Sequence, residues 1–172
     1  MTVWKNTDWD RKYKERLGSD VFKFIERDKS LITYLSDYDY VLNELKSKAS
    51  SFQLDDNSIL VIHICKFFEG VLLLVANETG WFSKFGGIRS TFIRKFYIDN
   101  RSNIVKEIQK QCPSTCQKIE DKLFSTVEDF TERHNAVHYG SMLKLGEVDN
   151  YEAILTKTRD VIKILIDNGL IN

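Results

Sequence analysis

The sequence predicts an all-α protein, a bundle of four to five helices with a polar N-terminal arm. Three observations carry that prediction. The 172 residues include one proline and eight glycines, too few chain breakers for the frequent turns of a sandwich or barrel. Hydrophobic residues make up 42% and aromatics 12%, enough to fill the core of one domain of this length. In the longest segments apolar residues recur every three or four positions, which is the spacing of one helix face.

Residues 1–30 are polar and mixed in charge. They read as an N-terminal arm or short helix, with "SDVFKFIERD" as the helical part and Ser19 or Asp20 as candidate cap. Residues 31–172 read as the bundle domain. From Leu31 to Lys48, Leu31, Leu35, Tyr38, Leu42 and Leu45 make one apolar stripe. The next helix opens on Asp55 to Ser58, four acceptable caps, and closes on Gly80. It is apolar nearly all round, as the central helix of a bundle must be, and the polar groups His63 and Glu69 interrupt it. "WFSKFGG" reads as a turn with exposed aromatics. Two shorter helices, broken near "IDNRSN", reach to about Lys110. Pro113 and Ser114 start a long helix on which Cys116, Ile119, Leu123, Val127, Phe130, His134 and Val137 step by three or four. "HYGSMLKLGEVDN" is a connector. The last helix runs from about Tyr151 to Asp167 and ends at Gly169.

The charge balance, 25 basic against 25 acidic residues, excludes a globally basic nucleic-acid binder. Any phosphate-binding surface must be local. The N-terminus, "MTVWKNTDWDRKYKERLG", lacks the apolar core of a signal peptide. The most apolar stretch, Ile59 to Ala76, carries His63, Lys66 and Glu69, which argues against a membrane span. Three cysteines, Cys65, Cys112 and Cys116, are an odd number and are expected to be reduced thiols in a cytoplasmic protein. Cys112 and Cys116 lack a second ligand pair at zinc spacing, so neither a metal nor a cofactor is expected.

The stretch "ERHNAVHYG", Glu132 to Gly140, holds an arginine, an asparagine and two of the three histidines. Arg133 and His138 are five residues apart, about 140° around a regular helix at ~100° per residue. They share one site only where the helix ends or loosens between them, and Gly140 offers a stop. The chemistry of such a pair is specific. An imidazole takes and returns protons near neutrality. A guanidinium binds phosphate oxygens in pairs. Together they suffice to cleave RNA without metal: the base removes the proton of the ribose 2′-hydroxyl, the oxygen attacks phosphorus, and the cation stabilises the charge that builds. DNA, lacking the 2′-hydroxyl, is spared. The same cluster could instead cap carbonyls at a helix end or form surface pairs.

The segment resembles the signature of the HEPN superfamily, an arginine followed four to six residues later by a histidine, with a polar residue directly after the arginine. Here these are Arg133, His138 and His134. "AVHYG" is similar to the run common around that histidine. The resemblance covers roughly residues 31–168. It implies a helical bundle with the motif late in the domain and a metal-independent endoribonuclease activity. It assigns His138 as base, Arg133 as phosphate clamp, His134 or Asn135 to substrate or partner positioning, and Tyr139 to stacking on a base. Size and an upstream acidic residue also resemble the ribonuclease-LS-type toxins, whose active site adds a glutamate from an earlier helix. That implies Glu69 as a third catalytic residue, paired with Arg133. Read from the residues alone, Glu69 could equally lie on an exposed strip or pair with Lys66. The resemblance further implies an RNA substrate, a homodimer with facing motifs, and an antitoxin protein partner, as in toxin–antitoxin or anti-phage defence pairs.

Between Trp81 and Lys110 seven basic residues face two acidic ones, with six aromatics interleaved. Arg89, Arg94 and Lys95 are candidate RNA contacts there, because basic charge steers phosphates and rings stack on bases. The competing expectation is a solvated face over a core stripe. His63, flanked by Ile62 and Ile64, reads as a core histidine. The alternative function is a non-catalytic helical module that binds RNA, a nucleotide or a protein.

Overall fold

The computed structural model describes residues 7–48, 61–86, 93–138 and 150–172. Among them the chain is all-α, with no strand. The helices are α1 (Thr7–Leu17), α2 (Ser19–Ile25), α3 (Lys29–Lys48), α4 (Ile62–Glu78), α5 (Trp81–Phe85), α6 (Ile93–Asp99), α7 (Arg101–Gln111), α8 (Cys116–His138) and α9 (Asn150–Asp167). The expected caps Asp55 to Ser58 lie outside the described residues.

Two long pairs organise the bundle. α3 packs on α4, and α8 on α9, with α4 also touching α5, α6 and α8. The partners of α3 and α4 run in opposite directions: Leu31 meets Gly70, Tyr34 meets Lys66, and Asp37 meets His63. Gly70 permits this closeness, since a Cβ there would stand 2.3 Å from Leu31 Cδ2. The second pair is also antiparallel. Thr115 Oγ1 donates to Asn168 Oδ1 at 2.6 Å, Lys122 pairs with Asp160 at 3.7 Å, and Lys157 pairs with Asp129. α9 stops where Gly169 takes a left-handed φ of 68°. Leu170 N–H then reaches back to the Leu165 carbonyl at 3.0 Å, the bond that closes a glycine-terminated helix.

The apolar periodicity becomes core as expected. Leu31, Leu35, Tyr38 and Leu42 of α3 are buried, as are Ile119, Leu123, Val127 and Phe130 of α8. Side chains of this size contribute roughly 1.5–3 kcal/mol each when fully buried. α4 keeps one outward strip, with Lys66 and Leu73 exposed and His63, Glu69 and Gly70 half-buried.

Two expectations are corrected. The stretch 1–30 is more than an arm with one short helix. α1 and α2 both form, and Tyr13, Leu17, Val21, Phe24 and Ile25 enter the core. The polar look of α1 comes from its exposed side, which carries Asp10, Arg11, Lys14 and Glu15 around the buried Tyr13. Neither Ser19 nor Asp20 caps α2; Gly18 holds that position, with no side-chain cap bond. "WFSKF" is not a turn with exposed aromatics but the short helix α5, and Trp81 is 1% exposed. Its indole stands edge-on to Tyr97, centroids 6.5 Å apart. The glycines on either side of it suggested a turn from local pattern, and burial against α4 and α6 overrode it.

α1 is held to α3 by a buried carboxylate. Asp39 is 5% exposed and accepts from the Tyr13 hydroxyl at 2.5 Å and from Lys12 at 2.8 Å. Losing one member of a fully buried ion pair costs about 3–5 kcal/mol. Here Lys12 is 46% exposed on its side chain, so its charge can return to water. The Tyr13 hydroxyl keeps the Leu35 carbonyl, 2.6 Å away. Asp39→Ala is therefore expected to cost nearer ~2 kcal/mol, read as a lowered urea midpoint at unchanged slope.

Candidate functional site

α4 repeats a polar residue every third position, His63, Lys66 and Glu69, and each meets a different neighbour. His63 Nδ1 is 3.6 Å from Asp37 Oδ2 on α3. It is half-buried at the α3–α4 seam rather than enclosed in the core. The Lys66 ammonium stands 5.8 Å from the centre of the Tyr34 ring, also on α3. Glu69 Oε1 is 3.8 Å from Arg94 Nε on α6.

Arg94 is the unusual member. Among the described residues it is the buried cation, 8% exposed. A guanidinium removed from water needs compensation, and the groups around it include the Glu69 carboxylate and the face of Phe130 on α8, whose ring centre lies 5.7 Å from the guanidinium carbon. Phe130 in turn contacts Phe68 of α4, centroids 5.5 Å apart. α6 is fixed against α4 by the Tyr97 hydroxyl, which donates to the Leu72 carbonyl at 2.9 Å. The Glu69–Arg94–Phe130 chain thus ties α4, α6 and α8 together, three residues before Arg133 along α8.

Cys65 lies close enough to sense both charges. Its thiol is pushed up to about 12, first by burial and then by the Glu69 charge, with Arg94 opposing. It is an inert core thiol, and all three cysteines are free and buried. Burial also raises the Tyr13 and Tyr97 hydroxyls, Tyr13 further through its bond to Asp39. These groups stay protonated in the folded chain at pH values where the unfolded chain ionises them, so the unfolded state binds fewer protons. Stability is expected to fall as pH rises through about 9 to 10, by about 1.4 kcal/mol per pH unit for each group. Urea midpoints at pH 8 and pH 10.5 measure it, and Cys65→Ala should remove its share of the slope.

Beside Glu69 lies an open groove of about 420 Å³ between the start of α3, α4, α5 and α6. Its lining combines the apolar Leu31, Gly70 and Leu73 with Tyr34, Lys66 and Glu69. Leu73 is 41% exposed within it.

Of the site residues read from the sequence, Glu69 and Arg94 meet one another. Arg94 is enclosed rather than offered to solvent, so it does not present the surface cation expected to meet a phosphate. Lys95 is exposed on α6. The helix α8 extends through positions 133, 134, 135 and 138; the side chains of Arg133, His134, Asn135 and His138 lie outside the described residues, as do Tyr139 and Arg89. The basic and aromatic run of 81–110 is mostly spent on structure. Trp81, Phe96 and Tyr97 are core. Lys84 and Lys110 bind Glu107 at 2.8 and 2.9 Å and hold its carboxyl below the usual range. Arg101 bridges Glu120 and Glu128 at 3.3 and 3.0 Å. The groove was missed in the sequence, although the step from His63 to Lys66 to Glu69, with Leu73 beyond, signals an outward strip on an otherwise buried helix.

Among the described residues no group of three or more His, Cys, Asp or Glu side chains gathers to hold a metal ion, and no helix is long and apolar enough to cross a membrane. No protein-family model, curated protein or solved structure matches the chain.

Proposed function

We propose that this chain is a metal-independent endoribonuclease of the HEPN type, acting as the toxin of a toxin–antitoxin or anti-phage defence pair. The observation that carries the proposal is the meeting of Glu69 with the buried Arg94 against Phe130. It sets a carboxylate and a rigid cation next to the helix that bears the Arg-His stretch. Buried charge in that neighbourhood is costly for stability alone, and such pairs cluster at functional sites.

His138 takes the proton of a ribose 2′-hydroxyl. The 2′-oxygen bonds to the adjacent phosphorus as the bond to the 5′-oxygen breaks. Arg133 binds the non-bridging oxygens, where negative charge grows. A second imidazole gives a proton to the leaving 5′-oxygen. His134, or the same motif of a second copy across a two-fold axis, supplies it. The products are a 2′,3′-cyclic phosphate and a 5′-hydroxyl. Glu69 orients the cation, Arg94 holds Glu69, and Asn135, Tyr139, Arg89 and Lys95 contact the RNA. The antitoxin partner follows from the resemblance, since an active nuclease needs restraint in its own cell.

Incubation of purified protein with RNA in excess EDTA tests this. Cleavage with cyclic-phosphate ends is expected, and cleavage abolished by the chelator would overturn the metal-free step. One observation favours the second reading, a non-catalytic binding module: the groove beside Glu69 has the volume of a ligand site. In that case His138→Ala would leave every activity of the protein unchanged.

A further inference from the structure

We infer that the groove beside Glu69 binds one unpaired, amino-bearing nucleobase of the RNA substrate, guanine foremost. The inference deepens the ribonuclease reading and rests on it for the identity of the polymer. The groove's volume, about 420 Å³, is in the range of small-ligand sites. Its walls suit a flat ring. Leu73, Ile93 and the Tyr34 and Phe82 rings line it, and aromatic and aliphatic faces are what extruded bases stack upon.

The rim decides which base. Asp28 and Glu69 both line the groove, and ionised carboxylates only accept hydrogen bonds. Asp28 is fixed as a rim group, because its Oδ1 accepts from the Ser30 N–H at 3.0 Å and the Ser30 hydroxyl at 2.6 Å. Glu69 Oε1 lies 3.8 Å from Arg94 Nε, and the Glu69 side chain is 35% exposed. A base that presents N–H groups complements carboxylates with further acceptor capacity. Guanine offers two adjacent N–H groups on its pairing edge, adenine and cytosine offer an amino group, and uracil offers one N–H flanked by two carbonyl oxygens that would face the carboxylates. Lys66 is exposed and is the cation among the described lining residues, and it suits the phosphate attached to the base. Glu69 belongs to both the groove and the Arg94 cluster.

The test is a calorimetric titration with guanosine 3′-monophosphate and uridine 3′-monophosphate, repeated on Leu73→Glu and Glu69→Gln. The guanosine nucleotide is expected to bind at least about tenfold more tightly, the discrimination of one good bidentate contact. Leu73→Glu, at an exposed position that tolerates charge, should abolish binding of both. Glu69→Gln should erase the difference between them. A 2′-O-methyl RNA containing one guanosine should compete with the mononucleotide. Equal binding of the two nucleotides, guanosine binding untouched by Leu73→Glu, or no competition by the RNA overturns the inference. So does binding of neither, the result for a groove built for a cationic peptide. Cleavage of RNA without base preference would sink the subsite and leave the nuclease standing. Guanosine selectivity without cleavage would do the reverse.

Discussion

His138→Ala is expected to lower RNA cleavage by about 10²- to 10⁴-fold, the range a positioned proton-transfer group contributes. Arg133→Ala should cost about 10²- to 10³-fold, as the loss of one charge-stabilising donor does elsewhere. Folding should survive both changes. Each position lies in α8, alanine is the best helix former, and the described anchors of that helix, from Ile119 to Phe130, are untouched. The two losses should not multiply in the double variant, because a base and a clamp acting on one phosphodiester work as a unit. Initial rates on a defined RNA, with circular dichroism as a check on the fold, measure this. Unchanged cleavage in either single variant removes that residue from the mechanism.

Arg94→Ala is the substitution expected to combine the largest stability loss with a loss of activity. The side chain is 8% exposed, and removing it deletes the packing on Phe130 as well as the partner of Glu69. Breaking a buried pair costs about 3–5 kcal/mol. Glu69 is partly exposed and its carboxylate can rehydrate, so about 2–4 kcal/mol is the expectation. Arg94→Lys should restore only part of it, since an ammonium cannot keep both the planar stack and the ion pair. Cleavage by Arg94→Lys, measured where that protein remains fully folded, should still be reduced, because Glu69 is no longer held. Full activity in folded Arg94→Lys would make Arg94 a packing residue and nothing more.

Much of the bundle was legible in the sequence because burial repeats with the helix. Leu31, Leu35, Tyr38 and Leu42, and the steps of α8 from Cys116 to Phe130, name their own faces. The N-terminal helices were less legible, since Tyr13 and Leu17 are the buried pair among charged residues in the described part of α1 and leave little periodic signal. "WFSKF" misled for a related reason: flanking glycines speak of turns, while the burial of Trp81 depends on α4 and α6, distant in sequence. At the site, Glu69 stood out as a charge within an apolar helix. Its partner did not. Arg94 looked like one of seven surface cations, and nothing local separates a buried arginine from an exposed one. Only the packing of α6 across α4 and α8 does so. The ion pairs of Lys84 and Arg101 were not legible either, since their carboxylate partners come from other helices.

The central claim is that the Arg133 guanidinium and the His138 imidazole serve one phosphodiester beside Glu69. A crystal structure with an RNA made uncleavable by a 2′-O-methyl group tests it most directly. The account predicts a phosphate oxygen within about 2.7–3.1 Å of the Arg133 nitrogens and an imidazole nitrogen of His138 facing the blocked 2′-oxygen, with Glu69 in the same pocket. A phosphate bound elsewhere, with the two side chains on opposite sides of α8, would contradict it.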